Sequence, residues 1–137
     1  MGFTILELLI VIVVIATIAL LTTVNLESYR KSSLVADTSR GIVTALETAK
    51  GKTIAGEGGL AYKVHFTSST YQILDENGTL IQRTPIDAIL EIVPPASDIL
   101  FYKVTGKSNG GVITVRVKSS TPQKIVSVST LGLISEP

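Results

Sequence analysis

A run of about 19 residues, Phe3 to Leu21, reads FTILELLIVIVVIATIALL and holds a single charge, Glu7, with Thr4 and Thr17 as its other polar side chains. Such a run has few folded solutions. As an α-helix rising about 1.5 Å per residue it covers roughly 29 Å, close to the approximately 30 Å of hydrocarbon in a bilayer. It is apolar on every side, where a surface helix would be apolar along one stripe. It therefore reads as a membrane span, with a cleaved secretory signal as the competing assignment. That alternative requires a basic start, a shorter apolar stretch and a small-residue cleavage site, and LLTTVNLESY offers no convincing one.

Glu7 is the anomaly of the run, since a carboxylate at mid-membrane costs roughly 3 kcal/mol, less near an end. Thr4-Ile5-Leu6-Glu7 spells the T-x-x-E capping box, which puts the acid at the positive end of the helix dipole. Locally, then, Glu7 starts a helix. A second and compatible role is to meet a positive charge supplied by another chain or by a newly made amino terminus.

The residues Gly2-Phe3-Thr4-Ile5-Leu6-Glu7-Leu8-Leu9-Ile10-Val11-Ile12 resemble the processing signal of type IV pilins and type II secretion pseudopilins. The resemblance implies that a prepilin peptidase cuts between Gly2 and Phe3 and methylates the new amine of Phe3. It also implies that Glu7, the fifth residue of the processed chain, neutralises the amino terminus of a neighbouring subunit during assembly. Residues 1–2 are then the remnant of a leader, which in that family is longer and basic. By charge alone, Arg30 and Lys31 after the span would leave the C-terminal part in the cytoplasm. The resemblance implies the reverse: a single-pass subunit of the bacterial inner membrane with its C-terminal domain on the periplasmic side. Family pilins often carry a proline about twenty residues into the processed chain. LTTVN stands there in this sequence, so the helix is expected to be straighter.

Beyond the span, Leu34, Val35, Thr38, Ile42, Ala45, Leu46 and Ala49 recur at intervals of three and four, with Asp37, Arg40, Glu47 and Lys50 mostly between them. That is the pattern of an amphipathic helix. No proline interrupts Phe3 to Lys50, so one long helix is expected, 3–24 in lipid and 25–51 against a following domain, with Gly51 as its stop. Gly41 costs about 1 kcal/mol relative to alanine inside a helix, and close approach by a strand is its expected use.

Residues 52–137 read as an antiparallel β domain of about seven strands: 61–66, 71–74, 79–82, 88–93, 99–105, 112–118 and 124–129. Glu76-Asn77-Gly78 supplies one turn, and Pro94-Pro95 breaks another connection. Val112, Thr114, Arg116 and Lys118 alternate with Ile113, Val115 and Val117, as a sheet wet on one face requires. The expected fold class is α+β, a long N-terminal helix packed on an antiparallel sheet, which is the pilin-like fold. ALETAKGK, AYKVHF and the run Ser129 to Ile134 resemble in more detail the H-type minor pseudopilins and the FimT-like minor pilins. In DNA-binding members of the latter, arginines follow the closing glycine. Here Leu133 and Ile134 follow Gly132.

No enzyme chemistry is expected. With no cysteine there is no thiolate site, and the formal charge of +1 does not advertise nucleic acid. His65 is the sole histidine and reads as an ordinary strand residue, lacking companions for a metal site. Asp75 and Glu76 precede Asn77-Gly78 as turn formers and supply too few oxygens for calcium. Ser32-Ser33, Ser68 to Thr70 and Ser119 to Thr121 contain no G-x-S-x-G elbow. Gly56 to Gly59 lacks the Lys-Ser/Thr of a phosphate loop. Arg30-Lys31 and Lys50, Lys52 read as solvated helix surface. No catalytic residue, cofactor or metal is assigned. The expected partners are a prepilin peptidase, other pilin or pseudopilin subunits and membrane lipid. The expected function is that of a structural subunit in a short filament supporting protein secretion, with a DNA-capturing minor pilin and a plain membrane-anchored binding module as the alternatives.

Overall fold

The structure, a computed structural model, describes residues 4–118 and 121–136, with only the backbone described for 21–25. One helix, α1 (Ile5–Ala55), dominates it at 51 residues and about 76 Å. Thr4 caps its start in an extended conformation, its hydroxyl accepting the Glu7 amide at 3.3 Å. Of the capping box, that half is formed.

The helix does not stop at Gly51. It runs one further turn to Gly56, whose left-handed φ of 68° lets its N–H reach the carbonyls of Lys52 and Thr53. The physical reason lies in Thr53, which is buried, donates to the Ala49 carbonyl at 2.8 Å and accepts the Tyr62 amide at 3.0 Å. That junction ties the last helical turn to the first strand and outweighs the cost of an exposed glycine at position 51.

Among the described residues eight strands follow: β1 (Tyr62–Phe66), β2 (Thr70–Asp75), β3 (Leu80–Pro85), β4 (Leu90–Val93), β5 (Ile99–Leu100), β6 (Gly111–Val117), β7 (Gln123–Val128) and β8 (Ile134–Ser135). They build two antiparallel sheets, ordered β3-β2-β1-β5 and β4-β6-β7-β8. The sequence pattern suggests one sheet because alternation fixes a strand's faces and leaves its neighbours open. β4 leaves the first meander to pair with β6, and Pro94-Pro95 then returns the chain to the first sheet at β5.

Other boundaries move for local reasons. Residues 88–89 form a turn, because the Asp87 side chain takes the Ile89 amide at 3.0 Å. The strand expected over 99–105 ends after Leu100, apart from a bridge between Phe101 and Ser108. The chain then closes a tight loop in which Tyr102 donates to the Lys107 carbonyl and Gly106 to that of Tyr102. Residues 129–133 are a turn between β7 and β8, held by the Ser129 hydroxyl on the Leu133 amide.

The core joins both sheets to the upper half of α1. Val35, Ile42, Leu46 and Ala49 meet Val64 and Ile73 of one sheet and Ile92, Ile113, Val115 and Val126 of the other, all essentially fully buried. Ser39 lies in this stripe, fully buried, where Thr38 is only half-buried. Ile113, Val115 and Val117 face inward as the alternation requires. Gly41 marks a close approach of sheet and helix, since a Cβ there would lie 2.6 Å from the Tyr71 hydroxyl oxygen on β2.

Candidate functional site

The lower half of α1 sets this molecule apart from an ordinary helix-on-sheet domain. From Ile5 to Leu20 the described side chains touch no sheet, and their large apolar members are exposed by between 45% at Val11 and 86% at Ile5. The exposure goes round the whole helix. A solvated face of this kind is far larger than the apolar patches that soluble monomers leave open, so the segment is built to be covered. Thr17 fits that environment, its hydroxyl donating to the Val13 carbonyl at 2.8 Å and leaving no free polar group.

Among the described residues no helix is long and apolar enough to cross a membrane. The stretch Ile5 to Leu20 covers about 24 Å at 1.5 Å per residue, against about 30 Å of hydrocarbon. The span expected over 3–24 extends past it at both ends. The expected processing pair, Gly2 and Phe3, lies outside the described residues.

Glu7 stands on the first turn, exposed, with its backbone amide held by Thr4. Its carboxylate makes no ion pair among the described residues. The capping role is served by the Thr4 hydroxyl and the helix dipole, so the carboxylate itself is left open to another group.

The basic pairs are more engaged than a solvated surface requires. Lys31 binds Glu27 at 2.7 Å, and that hydrogen bond and charge hold the Glu27 carboxyl below its ordinary range. Lys50 donates to the Gly132 carbonyl at 2.9 Å, joining the helix to the closing turn. Lys52 pairs with Glu57, which raises the lysine. Arg30 lies beside exposed Leu26 and Tyr29, just below the domain, in an open groove that also includes Leu34.

The remaining candidates are structural. Asp75 is buried in the β2–β3 turn, where its Oδ1 accepts the amides of Asn77 at 2.9 Å and Thr79 at 2.7 Å. Burial is the largest single influence and pushes its carboxyl up, but those hydrogen bonds together hold it below the ordinary value. Glu76 pairs with Lys103 at 2.9 Å. Ser33 donates to Asp37 at 3.4 Å. Thr67 and Thr70 close a turn on each other around Ser68. Residues 56–59 serve as helix cap and a short 3-10 turn. Residues 119 and 120 lie outside the described residues. No group of three metal-ligating side chains occurs among the described residues.

His65 has a partner that sequence reasoning misses. Its Nδ1 meets Asp98 Oδ1 at 2.6 Å, while Lys63 reaches Oδ2 of the same carboxylate at 3.3 Å. Partial burial pushes Asp98 up, but the hydrogen bonds and charges of His65 and Lys63 hold it below its ordinary value. The alternation of β1 places Lys63 and His65 on one face. The acid between them, however, arrives from the crossover between the sheets, and nothing local marks it.

Comparison with known proteins adds one finding. No protein-family model matches the sequence, and no curated protein sequence matches it. Among solved structures, the minor pseudopilin EpsH from the type 2 secretion system of Vibrio cholerae shares the fold, with a TM-score of 0.60 at 12% identity. The match covers 75% of this chain and 95% of that one. The pilin-like α+β architecture is therefore common to both.

Proposed function

We propose that the chain is a minor pseudopilin-like structural subunit, processed between Gly2 and Phe3, held in the bacterial inner membrane by residues 3–24 and then drawn into a short filament that supports protein secretion. The observation that carries this reading is the apolar lower half of α1, uncovered all round and continuous with a domain that shares its fold with a minor pseudopilin. Lipid covers this half before assembly, and the like helices of other pilin or pseudopilin subunits cover it afterwards. Glu7 then finds its partner in the methylated amine of Phe3 on a neighbouring subunit, which offsets the cost of carrying a carboxylate into an apolar environment. The role is one of packing and positioning, with no reaction catalysed by this chain.

The test is co-expression with a prepilin peptidase from a gene that supplies a basic leader before Gly2, followed by intact mass and N-terminal sequencing. The expected product begins at N-methylated Phe3. An uncut chain would remove the pseudopilin reading and leave a plain membrane anchor.

A further inference from the structure

Two Asn-Gly pairs occur in the chain, at Asn77-Gly78 in the β2–β3 turn and at Asn109-Gly110 in the segment that enters β6, and both asparagines are exposed. Their local sequences carry the same chemistry. The amide nitrogen of the glycine can attack the asparagine Cγ because no side chain obstructs it. The N–Cγ bond forms, the Cγ–Nδ2 bond breaks, and ammonia leaves with the proton from the nitrogen. Water then opens the five-membered imide at either carbonyl, giving aspartate or, with the main chain rerouted through Cβ, isoaspartate. The only co-reactant is water.

The fold treats the two pairs differently. Asn109 is held on three sides: its Oδ1 accepts the Leu100 amide at 2.9 Å, and its Nδ2 donates to the Asp98 carbonyl at 2.8 Å and to the Ser97 hydroxyl at 3.1 Å. Rotating Cγ toward the Gly110 nitrogen breaks all three. Asn77 has its backbone amide fixed by Asp75, but its side chain makes no hydrogen bond among the described residues. The glycine nitrogens are alike, each donating to a near neighbour in the chain, Gly78 to the Asp75 carbonyl at 3.1 Å and Gly110 to the Ser108 hydroxyl at 2.9 Å. The difference between the sites is the freedom of the side-chain amide.

We propose that Asn77 is a site of spontaneous deamidation, converted to aspartate and isoaspartate by attack of the Gly78 amide, and that the fold protects the equivalent Asn109. Loss of three modest hydrogen bonds slows Asn109 by about a hundredfold relative to Asn77. The product matters to the hairpin. Asp75 Oδ1 spans the amides of residues 77 and 79, and isoaspartate lengthens the main chain between them by one carbon. The new carboxylate also sits beside Asp75 and Glu76, where like charges repel. The turn that sets the β2–β3 register is thereby loosened.

Incubation of the full chain in detergent at mildly alkaline pH, followed by peptide mapping with isoaspartate-resolving mass spectrometry, tests this. The expected result is an amide-to-acid conversion at Asn77 with Asn109 intact, and faster hydrogen exchange at the Thr79 amide as conversion proceeds. In strong urea both sites are expected to convert at similar rates, which assigns the difference to the fold. Conversion at Asn109 as fast as at Asn77 in the folded chain would overturn the proposal. So would an intact Asn77 in the folded chain under conditions where the urea-unfolded chain converts.

Discussion

At the scale of single residues, two acids carry different duties. Glu7 starts α1 but leaves its carboxylate unpaired among the described residues, so removing the charge is expected to spare the fold of the domain and to abolish assembly. Glu7→Ala and Glu7→Gln are expected to melt within about 0.5 kcal/mol of the parent, as surface changes do, while their recovery in sheared filament falls to background. Unchanged recovery would assign Glu7 to helix capping alone. Asp98 is the opposite case, an acid spent within the chain. Its carboxyl is held low in the folded state, so its contribution is fully present above the unfolded carboxylate range and is lost as pH falls through its depressed folded value. The half-exposed cluster is worth about 1 kcal/mol or less. Urea melts across pH should show Asp98→Asn weaker than the parent near neutrality and the two converging as the pH falls below the ordinary carboxylate range. Glu7 was legible in the sequence because it breaks an apolar run. Asp98 was not, because its two partners lie on β1 and no periodicity links positions 63 and 65 to position 98.

At the scale of elements, Gly41 tests how α1 and β2 fit. Alanine is the better helix former by about 1 kcal/mol, yet its Cβ would lie 2.6 Å from the Tyr71 hydroxyl oxygen. Overpacking of that kind costs about 1–3 kcal/mol, so Gly41→Ala is expected to destabilise by about 1 kcal/mol net. In a Tyr71→Phe background the clash is gone, the next ring atom standing at 3.7 Å, and the same substitution is expected to stabilise by about 1 kcal/mol. Denaturant melts of the four-member cycle read that change of sign directly. The close approach at Gly41 could be foreseen, since a glycine inside a strongly periodic helix asks for a packing reason. The extra turn from Gly51 to Ala55 could not. It depends on Thr53 accepting the amide of Tyr62, a contact between helix end and sheet that propensity does not contain.

At the scale of the whole molecule, the chain divides into a large part that packs on itself and a shorter N-terminal part that does not. The core stripe begins at Leu34 and Val35, so a chain starting at Glu27 is expected to keep the complete domain and remain monomeric without detergent, whereas the full chain requires it. Sedimentation of both checks this. That division was visible in the hydropathy of the sequence, as was the α+β class. The split into two four-stranded sheets was not, because strand partners are chosen by long-range packing. Coverage of the lower half of α1 by other subunits is tested by a photo-crosslinking residue at position 10 in cells that hold the assembled machine. The expected result is adducts with other pilin-like chains that disappear when Glu7 is replaced by alanine. Adducts with lipid alone, unchanged by that substitution, would contradict it.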